Sequence, residues 1–85
     1  MVNITFNNNK WDAPILQPFA PLELHPFNST FHYGVTCYEG LKAYKNEKGE
    51  IRLFRPECNM ARFKRSSKRA SLPDFDGAEL LKVLE

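Results

Sequence analysis

The amino-acid sequence predicts an α+β fold, antiparallel strands and a hairpin followed by two helices, and three observations carry that expectation. Val2, Ile4 and Phe6 alternate with polar residues, which is the period of a half-buried strand. Leu41 and Ala43, then Ile51 and Leu53, alternate on either side of Asn46-Glu47-Lys48-Gly49. The leading Asn and closing Gly of that tetrapeptide suit a type I turn followed by a left-handed residue. From Pro56 onward the spacing becomes helical, with Met60, Phe63, Ser67 and Ala70 forming the stripe expected to face a core.

Taken in order, the first strand begins almost at Met1 and ends in the turn cluster Asn7-Asn8-Asn9. Prolines 14, 18, 21 and 26 exclude a continuous helix from Trp11 to Pro26 and favour extended segments, with Leu22-Glu23-Leu24 alternating as a short strand. An aromatic-rich turn around Phe31 to Gly34 precedes the hairpin. Pro56 suits a first helical turn and Glu57 the positive end of the helix dipole, while Arg62, Arg65 and Arg69 share a different face from the apolar stripe. Pro73 is expected to stop this helix. Asp76 with Glu79 then reads as a capping-box variant, and Phe75 and Leu80 stand at staple positions of a second helix. Leu80, Leu81, Val83 and Leu84 remain apolar up to Glu85 with no stop signal, so the chain reads as cut within that helix.

Eighty-five residues allow one small domain of modest intrinsic stability. Apolar content of 42% and charged content of 26% are those of a globular chain, and no apolar run is long enough to span a bilayer, so no membrane association is expected. A net charge of +2 gives little electrostatic footprint for nucleic acid, so a basic nucleic-acid-binding module using Arg62 to Arg69 is the remote alternative. Cys37 and Cys58 are too few and too far apart for a redox pair or disulfide framework and read as two reduced, partly buried thiols. With His25 and His32 they lack the close ligand pairs of structural zinc modules, and no metal site is expected.

Six ordered motifs point to a family. HYG at His32 to Gly34, YEG at Tyr38 to Gly40, LFRP at Leu53 to Pro56, NMAR at Asn59 to Arg62, RSS at Arg65 to Ser67 and LPDFD at Leu72 to Asp76 resemble the small domain of branched-chain amino acid aminotransferases. PLELHP at Pro21 to Pro26 and AELL at Ala78 to Leu81 extend the likeness across nearly the whole chain. These are fold-type IV enzymes that use pyridoxal 5'-phosphate (PLP). The resemblance implies that residues 1–85 are part of the N-terminal small domain, with the large domain carrying the Schiff-base lysine absent. It also implies branched-chain amino acids and 2-oxo acids as substrates, a homodimer for the complete enzyme, and a cytoplasmic location, or the mitochondrial matrix if a presequence is missing upstream. Other fold-type IV enzymes, D-amino acid aminotransferase or aminodeoxychorismate lyase, are the alternatives within the same fold.

The resemblance assigns roles to three residues. Arg62, in NMAR, matches the arginine that holds the cofactor phosphate, a role that suits a planar guanidinium able to give two parallel hydrogen bonds. Tyr33, in HYG, matches a substrate-pocket tyrosine. Tyr38 replaces the family's usual Phe in FEG, keeping the aromatic face and adding a hydroxyl that needs a partner. None of Lys10, Lys42, Lys45, Lys48, Lys64, Lys68 or Lys82 matches the family's catalytic lysine, so no catalytic residue is expected here and the 85 residues alone should not transaminate. Arg65 and Arg69 read as surface or domain-contact charges.

Overall fold

A computed structural model describes all residues, 1–85, and their contacts divide the chain into two compact units, Met1–Gly34 and Val35–Glu85. The first unit is built on a long hairpin in two paired steps. Strand β1 (Val2–Asn3) runs antiparallel to β4 (Ile15–Leu16), and β2 (Phe6–Asn7) antiparallel to β3 (Lys10–Trp11). Between the two steps the Asp12 amide donates to the Thr5 carbonyl at 2.8 Å, and beyond them Gln17 and Met1 exchange backbone bonds of 2.9 and 2.6 Å. The tight turn falls on Asn8 (φ 49°) and Asn9 (φ 60°). Two left-handed residues in a two-residue loop make the type I′ geometry whose twist matches that of the strands, and Asn tolerates it better than other residues with a Cβ. The Phe6 and Trp11 rings meet edge-on across the ribbon, 5.0 Å between centroids.

Two expectations for this unit change. Leu22-Glu23-Leu24 forms no strand: no neighbouring segment pairs with it, and Pro21 and Pro26 deprive its flanks of ladder donors. The aromatic turn is instead a short helix, α1 (Ser29–Tyr33), begun by Asn28, whose side chain accepts from the Thr30 amide at 2.9 Å, and closed by the Gly34 amide on the Thr30 carbonyl.

In the second unit the predicted hairpin forms as β5 (Ala43–Lys45) and β6 (Ile51–Leu53), with Ala43 opposite Leu53 and Lys45 opposite Ile51. Asn46 fixes its turn: the side-chain oxygen accepts from the amides of Lys48 and Glu50 at 3.0 and 2.9 Å. Gly49, at φ 84°, supplies the left-handed position that L-residues adopt only with strain.

Helix α2 (Pro56–Arg69) carries Pro56 in its first turn, as predicted, after a left-handed Arg55 that gives no side-chain cap. Met60 and Ser67 are the two buried residues of the chain, 6% and 5% exposed, and Phe63 and Ala70 beside them are half-buried, so the predicted stripe is the core face. The helix stops at Arg69, ahead of Pro73. Ser71 adopts φ 55°, its amide bonds the Lys68 carbonyl at 3.1 Å and the Leu72 amide bonds the Ser67 carbonyl at 2.9 Å. That pair of bonds is a Schellman motif, normally built on glycine, and Pro73 follows an end already made.

Helix α3 (Gly77–Leu84) starts as predicted at Asp76, whose carboxylate accepts from the amides of Ala78 and Glu79 at 2.9 and 3.1 Å. Glu79 pairs forward with Lys82 at 2.6 Å. A Cβ on Gly77 would stand 3.1 Å from that of Met60, so the missing side chain lets α3 begin directly against the buried face of α2. Phe75, just before the cap, packs its ring 5.1 Å from that of Phe63, and Asp74 pairs with Lys64 at 3.2 Å.

With two buried residues against exposed Phe19 (93%), Phe27 (83%) and Leu16 (82%), the apolar surface removed from water is too small to offset chain entropy. The 85 residues produced alone should therefore self-associate and unfold over a broad range without a cooperative transition. Sedimentation velocity with a thermal circular-dichroism scan checks this, and a monomer with a sharp transition would contradict it.

Candidate functional site

The Tyr38-Glu39-Gly40 segment leads into β5, and α2 presents Asn59 and Arg62, three residues apart and so on one face, toward it. Glu39 is the point of attachment. Its Oε2 accepts from Arg62 Nε at 2.8 Å, and its Oε1 accepts from Arg62 Nη2, from Asn59 Nδ2 at 3.0 Å and from its neighbour's amide, Gly40 N, also at 3.0 Å. Asn59 Nδ2 donates as well to the Gly40 carbonyl at 2.8 Å. The Glu39 side chain is 7% exposed while that of Arg62 is 59% exposed, so the carboxylate is enclosed and the guanidinium reaches outward from it.

This geometry sets the electrostatics. Hydrogen bonding from Arg62, followed by that from Asn59, the Arg62 charge and the Gly40 amide, outweighs desolvation and lowers Glu39 from 4.5 to about 2. The same partner raises the pKa of Arg62, and the guanidinium stays charged. Glu39 takes the Nε/Nη2 edge of that guanidinium side-on. The Nη1/Nη2 end, a second pair of parallel donors, is left to meet an anion such as a phosphate, so the residues present fit a phosphorylated cofactor.

Of the three residues assigned from sequence, Tyr38 and Arg62 fall within the second unit and are joined through Glu39, while Tyr33 ends α1 in the first unit. Tyr33 and Tyr38 are largely exposed, 83% and 91%. Sequence reasoning missed Glu39 and Asn59. The signal available was the pairing of an acid in YEG with an amide and a guanidinium three residues apart in NMAR, but nothing local to either motif shows that they meet. Arg65 and Arg69 line a separate open cleft of about 530 Å³ with Thr36, Cys37, Ser66 and Ala70, beside the 3.3 Å contact between Cys37 Sγ and Ser67 Oγ. Cys37 is half-buried, as expected, whereas Cys58 is exposed, and both are free thiols. No helix is long and apolar enough to cross a membrane.

Known proteins share the sequence pattern of this chain. No family model matches the chain. It is 48% identical over 85 residues to the mitochondrial branched-chain-amino-acid aminotransferase of Mus musculus, covering 99% of this chain and 22% of that protein. It is 49% identical over 77 residues to the branched-chain-amino-acid aminotransferase of Monosiga brevicollis, covering 91% and 20%, and 50% identical over 74 residues to the cytosolic enzyme of Rattus norvegicus, covering 87% and 18%. The likeness is thus to aminotransferases. By sequence the chain is similar to branched-chain-amino-acid aminotransferases along nearly its whole length, and it spans about a fifth of the length of these curated relatives.

Because the folded pKa of Glu39 is depressed, the stability this carboxylate confers is fully present above about 4.5 and is lost as pH falls toward about 2. An NMR titration of its side-chain carboxyl carbon in the full-length enzyme, not in residues 1–85 alone, should give a midpoint near 2. A midpoint at the ordinary 4.5 would show that the Arg62 and Asn59 contacts do not persist in solution.

Proposed function

We propose that this chain is part of the small domain of a PLP-dependent branched-chain amino acid aminotransferase, in which Arg62 holds the cofactor phosphate and Tyr33 and Tyr38 line the pocket for the substrate side chain. The observation that carries the proposal is the bridled guanidinium of Arg62: one edge is held by an enclosed carboxylate and the other is open to an anion. The near 50% identity to aminotransferases supports the choice of anion. Bound PLP would supply the electron sink for moving an amino group between an amino acid and a 2-oxo acid, and the lysine for that chemistry is not among these residues.

The chain's own residues bind and orient. Arg62 neutralises and aligns the phosphate, fixing the cofactor at the end remote from the reacting atoms. Tyr38, one residue from Glu39, presents an aromatic face for a branched alkyl group and a hydroxyl that water or a polar neighbour must satisfy. The part given to Tyr33, in the other unit, rests on the HYG motif alone. The complete enzyme would act as a homodimer, and the relatives' cytosolic and mitochondrial forms make either compartment a fit.

In the full-length enzyme, Arg62→Ala should weaken PLP retention at least about tenfold, because a charged hydrogen-bonding partner of the phosphate is lost. Arg65→Ala, whose side chain lines the separate cleft, should change retention much less. Equilibrium dialysis of the holoenzymes measures both, and equal retention by Arg62→Ala and wild type would remove Arg62 from the site.

Shrinking Tyr38 to Ala should lower kcat/KM for Leu by about ten- to hundredfold more than for Glu, since the contact removed is one an alkyl side chain uses and a carboxylate does not. Tyr38→Phe, which keeps the ring, should stay near wild type. Steady-state kinetics with Leu, Ile, Val and Glu decide it: parallel losses would mark Tyr38 as structural, and a wild-type preference for D-amino acids would move the chain to a sister enzyme of the same fold.

A further inference from the structure

The side chain of Glu39 stands apart from the other acids that form ion pairs. It is 7% exposed, against 54% for Glu50, 65% for Glu79 and 81% for Asp74. An enclosed carboxylate needs its lone pairs filled, and four N–H donors fill them: two from Arg62, one from Asn59 and one from Gly40. A surface ion pair holds a flexible side chain only loosely, whereas a two-point fork backed by a second helix residue fixes both the position and the roll of the guanidinium plane.

That fixation has a direction. With the Nε/Nη2 edge committed, the Nη1/Nη2 edge has one orientation relative to the segment that carries Tyr38. The Asn59 bond to the Gly40 carbonyl ties the same segment to α2 a second time. There is an opposing effect, because a carboxylate on the anchor subtracts positive charge where a phosphate binds. Orientation and charge therefore predict opposite consequences for removing the acid.

We propose that Glu39 is a positioning residue: with Asn59 it sets the roll of Arg62 so that the free end of the guanidinium meets a phosphate monoester, and it couples that anchor to the Tyr38 wall. This rests on the reading of Arg62 as the phosphate anchor. Glu39→Gln is nearly isosteric but places an amide N–H against a guanidinium N–H, breaking the fork while leaving the volume unchanged.

The test uses a full-length chimera in which residues 1–85 replace the matching segment of the mouse mitochondrial relative, loaded with PLP. Dissociation of PLP and the phosphorus NMR line of the bound phosphate are measured for wild type, Glu39→Gln, Arg62→Ala and the double variant. Glu39→Gln should release PLP about tenfold faster and shift or broaden the phosphorus line, with no further loss when added to Arg62→Ala, since the acid acts only through the arginine. Wild-type retention in Arg62→Ala would reject the anchor reading itself. Loss in Arg62→Ala together with unchanged or tighter PLP in Glu39→Gln, or losses that multiply in the double variant, would overturn positioning alone. Should Glu39→Gln not fold by circular dichroism, Asn59→Ala, which removes the neutral bonds to Glu39 and to the Gly40 carbonyl, should give roughly a threefold loss, again absent in the Arg62→Ala background. Unchanged retention in Asn59→Ala would then overturn the proposal.

Discussion

The second unit is held at one end by a buried stripe of α2 and at the other by a polar cluster centred on one enclosed carboxylate. Met60 and Ser67 define the stripe, against which α3 is laid at Gly77. The YEG segment has no such apolar partner, since Tyr38 is 91% exposed and Gly40 has no side chain. What joins it to the helix is chiefly Glu39, with the Asn59 bond to the Gly40 carbonyl beside it. In water an exposed ion pair contributes little, because solvent competes for both charges. Enclosing the acid changes that balance: the charge must be matched or the segment must leave, so four donors converge on it and the segment takes one place. The geometry of the candidate site follows from this requirement more than from any packing of the tyrosines.

Much of the local structure was legible because it is written in residues that act on their own backbone. Asn46 and Gly49 specify the β5–β6 turn by themselves, and Asp76 caps α3 with its own carboxylate. The core face of α2 was legible for a similar reason, since helical period alone places Met60, Phe63, Ser67 and Ala70 together. Leu22-Glu23-Leu24 shows where this reasoning stops. Alternation describes a strand's faces but does not supply its neighbour, and a strand without a partner is not one.

The end of α2 illustrates a competition between signals. Pro73 is an obvious stop, yet a helix can close earlier if a residue accepts the left-handed conformation and returns two amides to the last turn. Ser71 does so although a Cβ disfavours it. Leu72, which follows, is half-buried, and Phe75 reaches the Phe63 ring. The strain at one residue is offset by bringing the connection back over the helix's apolar face, a tertiary gain that no local propensity contains.

Arg62 was legible as a residue type and as a motif, and illegible as a geometry. A guanidinium on a helix with Arg65 and Arg69 nearby reads as part of a basic face, and only Glu39, twenty-three positions earlier, separates it from them. That separation bears on selectivity. A free surface arginine attracts any anion with equal indifference to shape, whereas one with its side-on edge filled offers only a planar two-donor end in a fixed direction. The paired acid also cancels much of its long-range field, so attraction is confined to ligands close enough to hydrogen-bond. Glu39 thus exchanges bulk electrostatic pull for directional recognition, which sets this guanidinium apart from a general anion trap.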